Sequence, residues 1–160
     1  MIEDKIYIDK FPEELINDWR KNGQKVVFTN GCFDVLHKGH VQYLEKAKLL
    51  GHRLIVGLNS DQSVVRLKGK NRPVQNQESR AFVLAALESV DVVVLFDEDT
   101  PLNLILRVKP NILVKGGDYS EEEIVGAKEI KQRGGRVERI DFSEGYSTTA
   151  IIDKIKSISY

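Results

Sequence analysis

An apolar strand, a glycine-containing turn and the start of a helix follow one another in the segment Phe28-Thr29-Asn30-Gly31-Cys32-Phe33-Asp34-Val35-Leu36-His37-Lys38-Gly39-His40. The first turn of a helix exposes unpaired backbone N–H groups and the positive end of the helix dipole, so it attracts anions. Gly39 lets a phosphate approach the backbone closely. His37 and His40 are three residues apart, so both can donate hydrogen bonds from one face of the helix. The segment therefore predicts a phosphate-binding site.

Short β-branched runs alternate with amphipathic stretches from residue 25 onward, a rhythm that is typical of βαβ units. It predicts strands at 26–28, 54–58, 92–96, 112–114 and 137–140, and helices near 39–50, 77–88, 101–107 and 121–133 and from about Ser147. Right-handed crossovers between parallel strands place helices on both faces of a sheet. We expect a single Rossmann-like, doubly wound α/β domain with a five-stranded parallel sheet at 25–160, preceded by an N-terminal extension, 1–24, with one short helix.

Ligands bind such sheets beyond the carboxyl ends of the strands. In this chain the polar segments after the predicted strands are 29–40, 59–61, 96–99, 115–118 and 143–149. All of them are expected on one rim of the sheet. Asp34 and Asn59 stand at strand ends, and we select them as contacts for a second substrate.

A second helix start with hydroxyl groups lies at Gly145-Tyr146-Ser147-Thr148-Thr149. If this helix start lies next to the one at His37–His40, two helix dipoles converge on one polyphosphate. The alternative is that Ser147 or Thr148 is an ordinary N-cap residue, although an N-cap residue can also bind phosphate.

The turn Lys115-Gly116-Gly117-Asp118 follows the fourth predicted strand. Its two glycines would let the backbone approach a flat base, and Asp118 would reach a ribose or a base edge. An ordinary strand-to-helix turn is the alternative, because Gly-Gly is a common turn signal.

A short basic loop, Lys68-Gly69-Lys70-Asn71-Arg72-Pro73-Val74, carries three cations in five residues of an otherwise balanced chain. We interpret it as a loop that closes over bound phosphates, with Lys68 and Arg72 as the favoured phosphate contacts. The alternative interpretation is a solvated surface loop, which is the usual role of a charged loop.

The composition excludes several classes of protein. The 160 residues contain 24 basic and 24 acidic side chains, so no general field draws the chain to nucleic acid or to an anionic membrane. Cys32 is the only cysteine, which excludes an internal disulfide and fits a reducing compartment. No apolar run is long enough for a membrane span, and the N-terminus lacks the apolar core of a signal peptide. Two histidines without a third ligand make a poor zinc site. We expect a cytoplasmic protein without a bound metal of its own.

The pattern Gly31-x-Phe33-Asp34-x-x-His37-x-Gly39-His40 after a strand resembles the signature of the HxGH nucleotidyltransferases, which include the cytidylyltransferases and several adenylyltransferases. The segment 145–149 resembles the Ser-Thr motif with which this superfamily holds a triphosphate. Segments 30–34, 68–74, 114–118 and 144–149 together look most like those of the heptose-phosphate adenylyltransferases. The resemblance covers nearly all of residues 25–156.

The resemblance implies transfer of AMP from ATP to D-glycero-β-D-manno-heptose 1-phosphate, with ADP-heptose and pyrophosphate as products. The residues carried over as catalytic are His37, His40 and Lys38. Those carried over for ATP are Asn30, Gly31, Phe33, Gly39, Lys115, Gly116, Gly117, Asp118, Tyr146, Ser147, Thr148 and Thr149. The sugar phosphate is expected to contact Asp34, Asn59, Lys68 and Arg72. Mg²⁺ is expected with the triphosphate, held mainly by phosphate oxygens.

The resemblance also implies a homo-oligomer. Some members of the family carry a sugar kinase on the same polypeptide, but 160 residues leave no room for one, so we expect a separate sugar kinase to supply the substrate. Two alternative functions remain open. One is a cytidylyl- or adenylyltransferase that acts on another phosphorylated acceptor, such as glycerol 3-phosphate. The other is a nucleotide-binding module without catalytic activity, which would bind ATP yet release no pyrophosphate.

Overall fold

The computed structural model describes residues 1–117 and 119–158 and contains one parallel sheet with helices against both faces. Its strands are β1 (Ile6–Tyr7), β2 (Val26–Gly31), β3 (Arg53–Asn59), β4 (Val92–Phe96), β5 (Ile112–Gly116) and β6 (Arg136–Ile140). Its helices are α1 (Glu13–Lys21), α2 (Lys38–Lys48), α3 (Asp61–Lys68), α4 (Gln77–Ala85), α5 (Leu102–Val108), α6 (Ala127–Gln132) and α7 (Thr148–Ser157), with 3-10 turns at Glu3–Lys5 and Glu121–Glu123. No helix within these residues is long and apolar enough to cross a membrane.

Within the described residues the sheet has six parallel strands in the order β1-β4-β3-β2-β5-β6. The expected α/β fold with a parallel sheet is confirmed, but the expected number of five strands is wrong. The additional strand, β1, lies in the segment 1–24 and pairs Ile6 with Val93 and Tyr7 with Val94. Two residues are too few to show a periodic pattern, so this strand is recognisable only from its pairing with the edge of β4.

Two helical segments also differ from the expectation. Residues 61–68 form α3, although the sequence analysis predicted no helix there. The Ser60 hydroxyl caps α3 by accepting a hydrogen bond from the Ser63 amide. The helix expected at 121–133 is divided into a 3-10 turn and α6. Gly126 separates them with a φ of 86°, a left-handed conformation that glycine adopts without strain.

Successive residues of the central strands enter two separate cores. Val26 and Phe28 of β2 pack with Trp19 of α1, whereas Val27 between them packs with Leu44 of α2. Strands that are buried on both faces have continuous apolar sequences rather than alternating ones. This burial explains the unbroken apolar runs from which the central strands were predicted.

The direction of chain progression across the sheet reverses at β2, with β3 and β4 on one side and β5 and β6 on the other. In α/β sheets such a switch point opens a crevice beyond the carboxyl ends of the strands. The loop after β2 and the turn after β5 both begin there, because β2 and β5 are neighbours that pair Phe28 with Leu113.

Candidate active site

A cavity of about 630 Å³, here called the site cavity, opens beyond the carboxyl ends of β2, β3 and β5. The residues singled out from the sequence that line it are Asn30, Gly31, Phe33, Asp34, His37, His40, Asn59, Lys68, Arg72, Lys115, Gly116, Tyr146, Ser147, Thr148 and Thr149. Lys38, Gly39 and Gly117 do not line it, and Asp118 lies outside the described residues. The fold therefore brings together segments from most of the predicted rim.

The two histidines form a reciprocal cap at the start of α2. His37 is the N-cap residue, and its Nδ1 accepts a hydrogen bond from the Gly39 amide at 3.1 Å. The Nδ1 of His40 accepts from the His37 amide at 3.4 Å. Because each Nδ1 is an acceptor, the proton of each neutral ring is on Nε2. Both rings thus keep one N–H donor for a bound group.

The environment of the histidine pair favours uncharged rings. The two imidazoles stack with their centroids 3.8 Å apart, and Phe33 meets His40 edge-on at 5.4 Å. Burial, followed by the charges of His37 and Lys68, lowers the pKa of His40 to about 4. Burial also lowers the pKa of His37. Near pH 7 the pair therefore donates hydrogen bonds without carrying charge.

The start of α7 lies directly against the start of α2. A Cβ atom at Gly39 would lie 3.0 Å from the His37 ring and 3.0 Å from Tyr146 Cβ, so glycine permits this close approach. The Tyr146 ring lies nearly parallel to the His37 ring, with centroids 6.4 Å apart. Lys38 Nζ is 5.6 Å from the centre of the Tyr146 ring. Lys38 thus faces Tyr146 although it does not line the site cavity.

Two hydroxyl groups organise the beginning of α7. Ser147 caps the helix, since its hydroxyl accepts a hydrogen bond from the Ala150 amide at 3.0 Å. The Thr148 hydroxyl donates to the backbone carbonyl of Asp34 at 2.7 Å. The capping role considered for Ser147 is therefore present, and Thr148 joins α7 to the loop after β2.

The Asp34 carboxylate joins the site cavity to residues 69–76, here called the 69–76 loop. It accepts hydrogen bonds from Arg72 Nε at 3.1 Å, from the Val74 amide at 2.8 Å and from the Gln75 amide at 3.0 Å. Burial by itself would raise the pKa of this carboxyl group, but the three hydrogen bonds outweigh it and hold the pKa below its ordinary value. Both carboxylate oxygens are thus engaged by the loop.

The backbone on either side of Asp34 is strained. Phe33 has a φ of 45° and Val35 a φ of 51°. A left-handed conformation is unusual for a β-branched residue such as valine. It persists where surrounding bonds over-determine the backbone, and here the bonds of Asp34 to the 69–76 loop and to Thr148 supply that constraint.

The part of the site cavity lined by Lys68, Arg72 and Asn59, here called the cationic wall, is cationic and polar. Lys68 and Arg72 both line it, and the positive charge of Lys68 contributes to the lowered pKa of His40. Asn59, at the end of β3, is buried, and its side-chain amide donates to the Ser63 hydroxyl at 3.0 Å.

Aromatic rings surround the turn that follows β5. A Cβ atom at Gly116 would clash with the Phe142 ring, which packs on Tyr43 with ring centroids 5.0 Å apart. Lys115 Nζ is 5.7 Å from the centre of the Tyr119 ring, and burial lowers the pKa of Lys115. This part of the site cavity, here called the slot at Gly116, is lined by the rings of Tyr43, Tyr119 and Phe142.

Other residues that line the site cavity were assigned no binding role from the sequence: Cys32, Tyr43, Leu67, Asp99, Thr100, Pro101, Tyr119, Val125 and Phe142. Asp99 belongs to the rim segment 96–99, so the strand-end rule could have included it. Burial raises the pKa of Cys32. Phe142 carries no local sequence signal, because only the pairing of β6 with β5 brings it over Gly116.

Comparisons with known proteins agree with the motif. The chain is 59% identical over 147 residues to the bifunctional protein HldE of Campylobacter jejuni, an alignment that covers 92% of this chain and 31% of that protein. It is 56% identical over 142 residues to bifunctional protein HldE of Nitrobacter winogradskyi, with 89% and 29% covered. The chain thus spans about a third of the length of the curated relatives it matches.

A solved structure and a family model extend the comparison. The crystal structure of the lipopolysaccharide core biosynthesis protein from Thermoplasma volcanium matches with a TM-score of 0.63 and 32% identity, covering 78% of this chain and 100% of that one. The model of the cytidylyltransferase-like family matches residues 28–154. The chain therefore belongs to the cytidylyltransferase-like family, as the motif around His37 and His40 predicted.

Proposed function

We propose that this chain transfers AMP from ATP to D-glycero-β-D-manno-heptose 1-phosphate and releases pyrophosphate. The observation that carries the proposal is the meeting of the His37–His40 cap with the start of α7 at one cavity. Membership of the cytidylyltransferase-like family supports nucleotidyl transfer. The acceptor is supported by the high identity to proteins named HldE and by the neighbour named for lipopolysaccharide core biosynthesis.

The proposed reaction exchanges one phosphorus–oxygen bond for another. An oxygen of the sugar 1-phosphate attacks the α-phosphorus of ATP in line, and the bond to the departing pyrophosphate breaks. The attacking oxygen is already ionised, so no general base and no covalent enzyme intermediate are needed. Catalysis then consists of aligning two anions and stabilising the charge that grows on the α-phosphate and on pyrophosphate.

His37 and His40 are the proposed donors to that charge. Each ring keeps an Nε2–H, and the cap fixes both rings at the start of α2. A donor aimed at developing charge is worth about 3 kcal/mol of barrier, by analogy with oxyanion-hole deletions. Lys38 adds a positive charge beside Tyr146, and the start of α7 supplies backbone N–H groups for the phosphates.

We assign the adenosine to the slot at Gly116, where the surrounding aromatic rings offer flat walls. The proposed ATP contacts are the twelve residues named above as carried over for ATP, of which Asn30 is the first and Thr149 the last in the sequence. We assign the sugar phosphate to the cationic wall, with Lys68, Arg72 and Asn59 as direct contacts. Asp34 acts there by holding Arg72, since its carboxylate oxygens bind the 69–76 loop.

Mg²⁺ is proposed to arrive with the nucleotide as Mg·ATP. Between residues 1 and 117 and between 119 and 158, no group of three or more His, Cys, Asp or Glu side chains is placed to hold a metal ion. Phosphate oxygens and water are therefore the proposed ligands, and no step depends on a metal held by the protein.

We propose that the chain works as a homo-oligomer in the cytoplasm, without a nucleic-acid or membrane partner. A compartment with ATP and reduced thiols fits both the nucleotide and the single Cys32. The acceptor carries its phosphate on the anomeric oxygen, so a sugar kinase distinct from this domain is proposed to supply it.

Pyrophosphate release tests the proposed function directly. The chain is assayed with ATP and CTP, each paired with heptose 1-phosphate or glycerol 3-phosphate. We expect the fastest release with ATP and heptose 1-phosphate. Faster release with another pair would replace the acceptor or the nucleotide in the proposal. ATP binding without release for any acceptor would show a nucleotide-binding module instead.

A further inference from the structure

Arg80 of α4 is a large charged side chain that is completely buried, with 0% of its side-chain surface exposed. Its Nη1 donates to the carbonyls of Cys32 and Asn59, both at 2.8 Å. Its Nε donates to the Gln75 carbonyl at 3.0 Å, and its Nη2 to the Asp61 carboxylate at 2.7 Å. The planar guanidinium therefore binds three backbone carbonyls and one carboxylate.

Cys32 and Asn59 line the site cavity, whereas Gln75 and Asp61 do not. Cys32 follows β2, Asn59 ends β3, and Gln75 belongs to the 69–76 loop. Arg80 itself does not line the site cavity. Its guanidinium sets the separation between the ends of two neighbouring strands and fixes the loop that carries Arg72.

Stability alone is a poor explanation for a charge in this position. A buried ion pair costs desolvation, and replacing it with apolar side chains of similar volume is often neutral or stabilising. Within residues 1–117 and 119–158, the one carboxylate paired with Arg80 is that of Asp61, whose side chain is 37% exposed. The rigid fork of donors does what an apolar residue cannot do, because it holds three carbonyls at fixed positions.

We propose that Arg80 is a positioning residue for the acceptor half of the site, an inference that rests on the proposed function. It orients Asn59 directly, and it orients Arg72 through Gln75 and the rest of the 69–76 loop. One of its four bonds, to the Cys32 carbonyl, lies beside Gly31 and Phe33 of the proposed ATP contacts. The other three go to Asn59, Gln75 and Asp61, and none reaches the turn after β5 or the start of α7. The acceptor and the nucleotide should therefore respond differently to its replacement.

The test is Arg80→Lys, which keeps the charge but cannot span three carbonyls, compared with Arg53→Lys. Arg53 also forms a side-chain fork, to Gln24 at 2.9 Å and Asp91 at 3.1 Å, but where the strands begin. For Arg80→Lys we expect a fall of about a hundredfold in kcat/KM for heptose 1-phosphate, because small misplacements are costly. The KM for ATP should stay within about twofold, and Arg53→Lys should leave both values unchanged.

Binding measurements separate positioning from mere stability. Calorimetric titration of folded protein should show much weaker binding of heptose 1-phosphate to Arg80→Lys, and a change of no more than about twofold in ATP affinity. Equal losses for both ligands, or no loss for either, would overturn the inference. If Arg80→Lys fails to fold, Asp61→Asn, which loosens one corner of the fork, should give a smaller change of the same kind, and unchanged acceptor binding there would also overturn it.

The proposed function can fail separately. In that case the wild-type chain releases no pyrophosphate with heptose 1-phosphate. The acceptor identified by the screen of pairs then replaces it in the same comparison of Arg80→Lys with Arg53→Lys.

Discussion

Asp34 and Asp91 lie at opposite edges of the sheet, and each accepts hydrogen bonds from three donors. Asp34 lies at the carboxyl edge, where the strands end, and binds one arginine and two backbone amides of the 69–76 loop. Asp91 lies at the amino edge, where the strands begin, and binds a lysine, an arginine and one backbone amide. The side chains are 1% and 15% exposed, respectively.

The two carboxylates differ in what they hold. The donors to Asp91 come from the end of α2 and the start of β3, elements that are already fixed by their own backbone hydrogen bonds. The donors to Asp34 come from a loop whose shape depends on that carboxylate. A carboxylate with three hydrogen-bond donors therefore stabilises the framework at the amino edge and shapes the site at the carboxyl edge.

Among the substitutions that test this difference between Asp34 and Asp91, Asp34→Asn is expected to have the largest effect. The substitution leaves Arg72 without its buried counter-charge, so we expect the free energy of unfolding to fall by about 3 kcal/mol. It should also raise the KM for the sugar phosphate, because the 69–76 loop loses its anchor. Urea denaturation and pyrophosphate release provide the two measurements.

The matched control is Asp91→Asn, which removes a carboxylate of similar contacts at the amino edge. It should reduce stability and leave the kinetic constants of the folded protein unchanged. An Asp34→Asn variant with wild-type kinetics would show that the 69–76 loop does not depend on Asp34.

A smaller effect on stability, but a specific one on turnover, is expected from His37→Ala. Loss of one donor to the α-phosphate should lower kcat by about a hundredfold, which corresponds to about 3 kcal/mol. Loss of the cap should lower the free energy of unfolding by about 1 kcal/mol. ATP affinity should change less than kcat, as measured by pyrophosphate release and by titration with a non-hydrolysable analogue.

His52→Ala is the control at the amino edge, because the Nδ1 of His52 also accepts from a backbone amide, that of Lys25 at 2.9 Å. It should lose a comparable hydrogen bond with no change in kcat. Unchanged turnover in His37→Ala would remove this residue from the proposed mechanism.

The smallest effect concerns the pH dependence of stability. The pKa of His40 is lowered from 6.5 to about 4 in the folded chain, so between these values the unfolded chain binds more protons at this position. The free energy of unfolding should therefore fall as the pH is lowered from about 6.5 to about 4. His40→Gln should show a shallower fall over that range in urea titrations, and an identical fall would contradict the neutral, buried ring.

The features predicted correctly are those that depend on neighbours in the sequence. The apolar runs of β2, β3 and β4 indicated the parallel sheet, because strands buried on both faces have largely continuous apolar sequences. The strand β1 and the helix α3 were missed. The first is too short for a periodic signal, and the second lies next to a charged loop that masked it.

The spacing of His37, Gly39 and His40 alone determined that two imidazoles would share the first turn of a helix, because a helical turn is a local structure. Only the tertiary structure decided which distant groups complete the site: the start of α7, the slot at Gly116 and the buried guanidinium of Arg80. Those contacts depend on strand order and register, which the chain selects by burying apolar surface as a whole. No segment contains that information by itself.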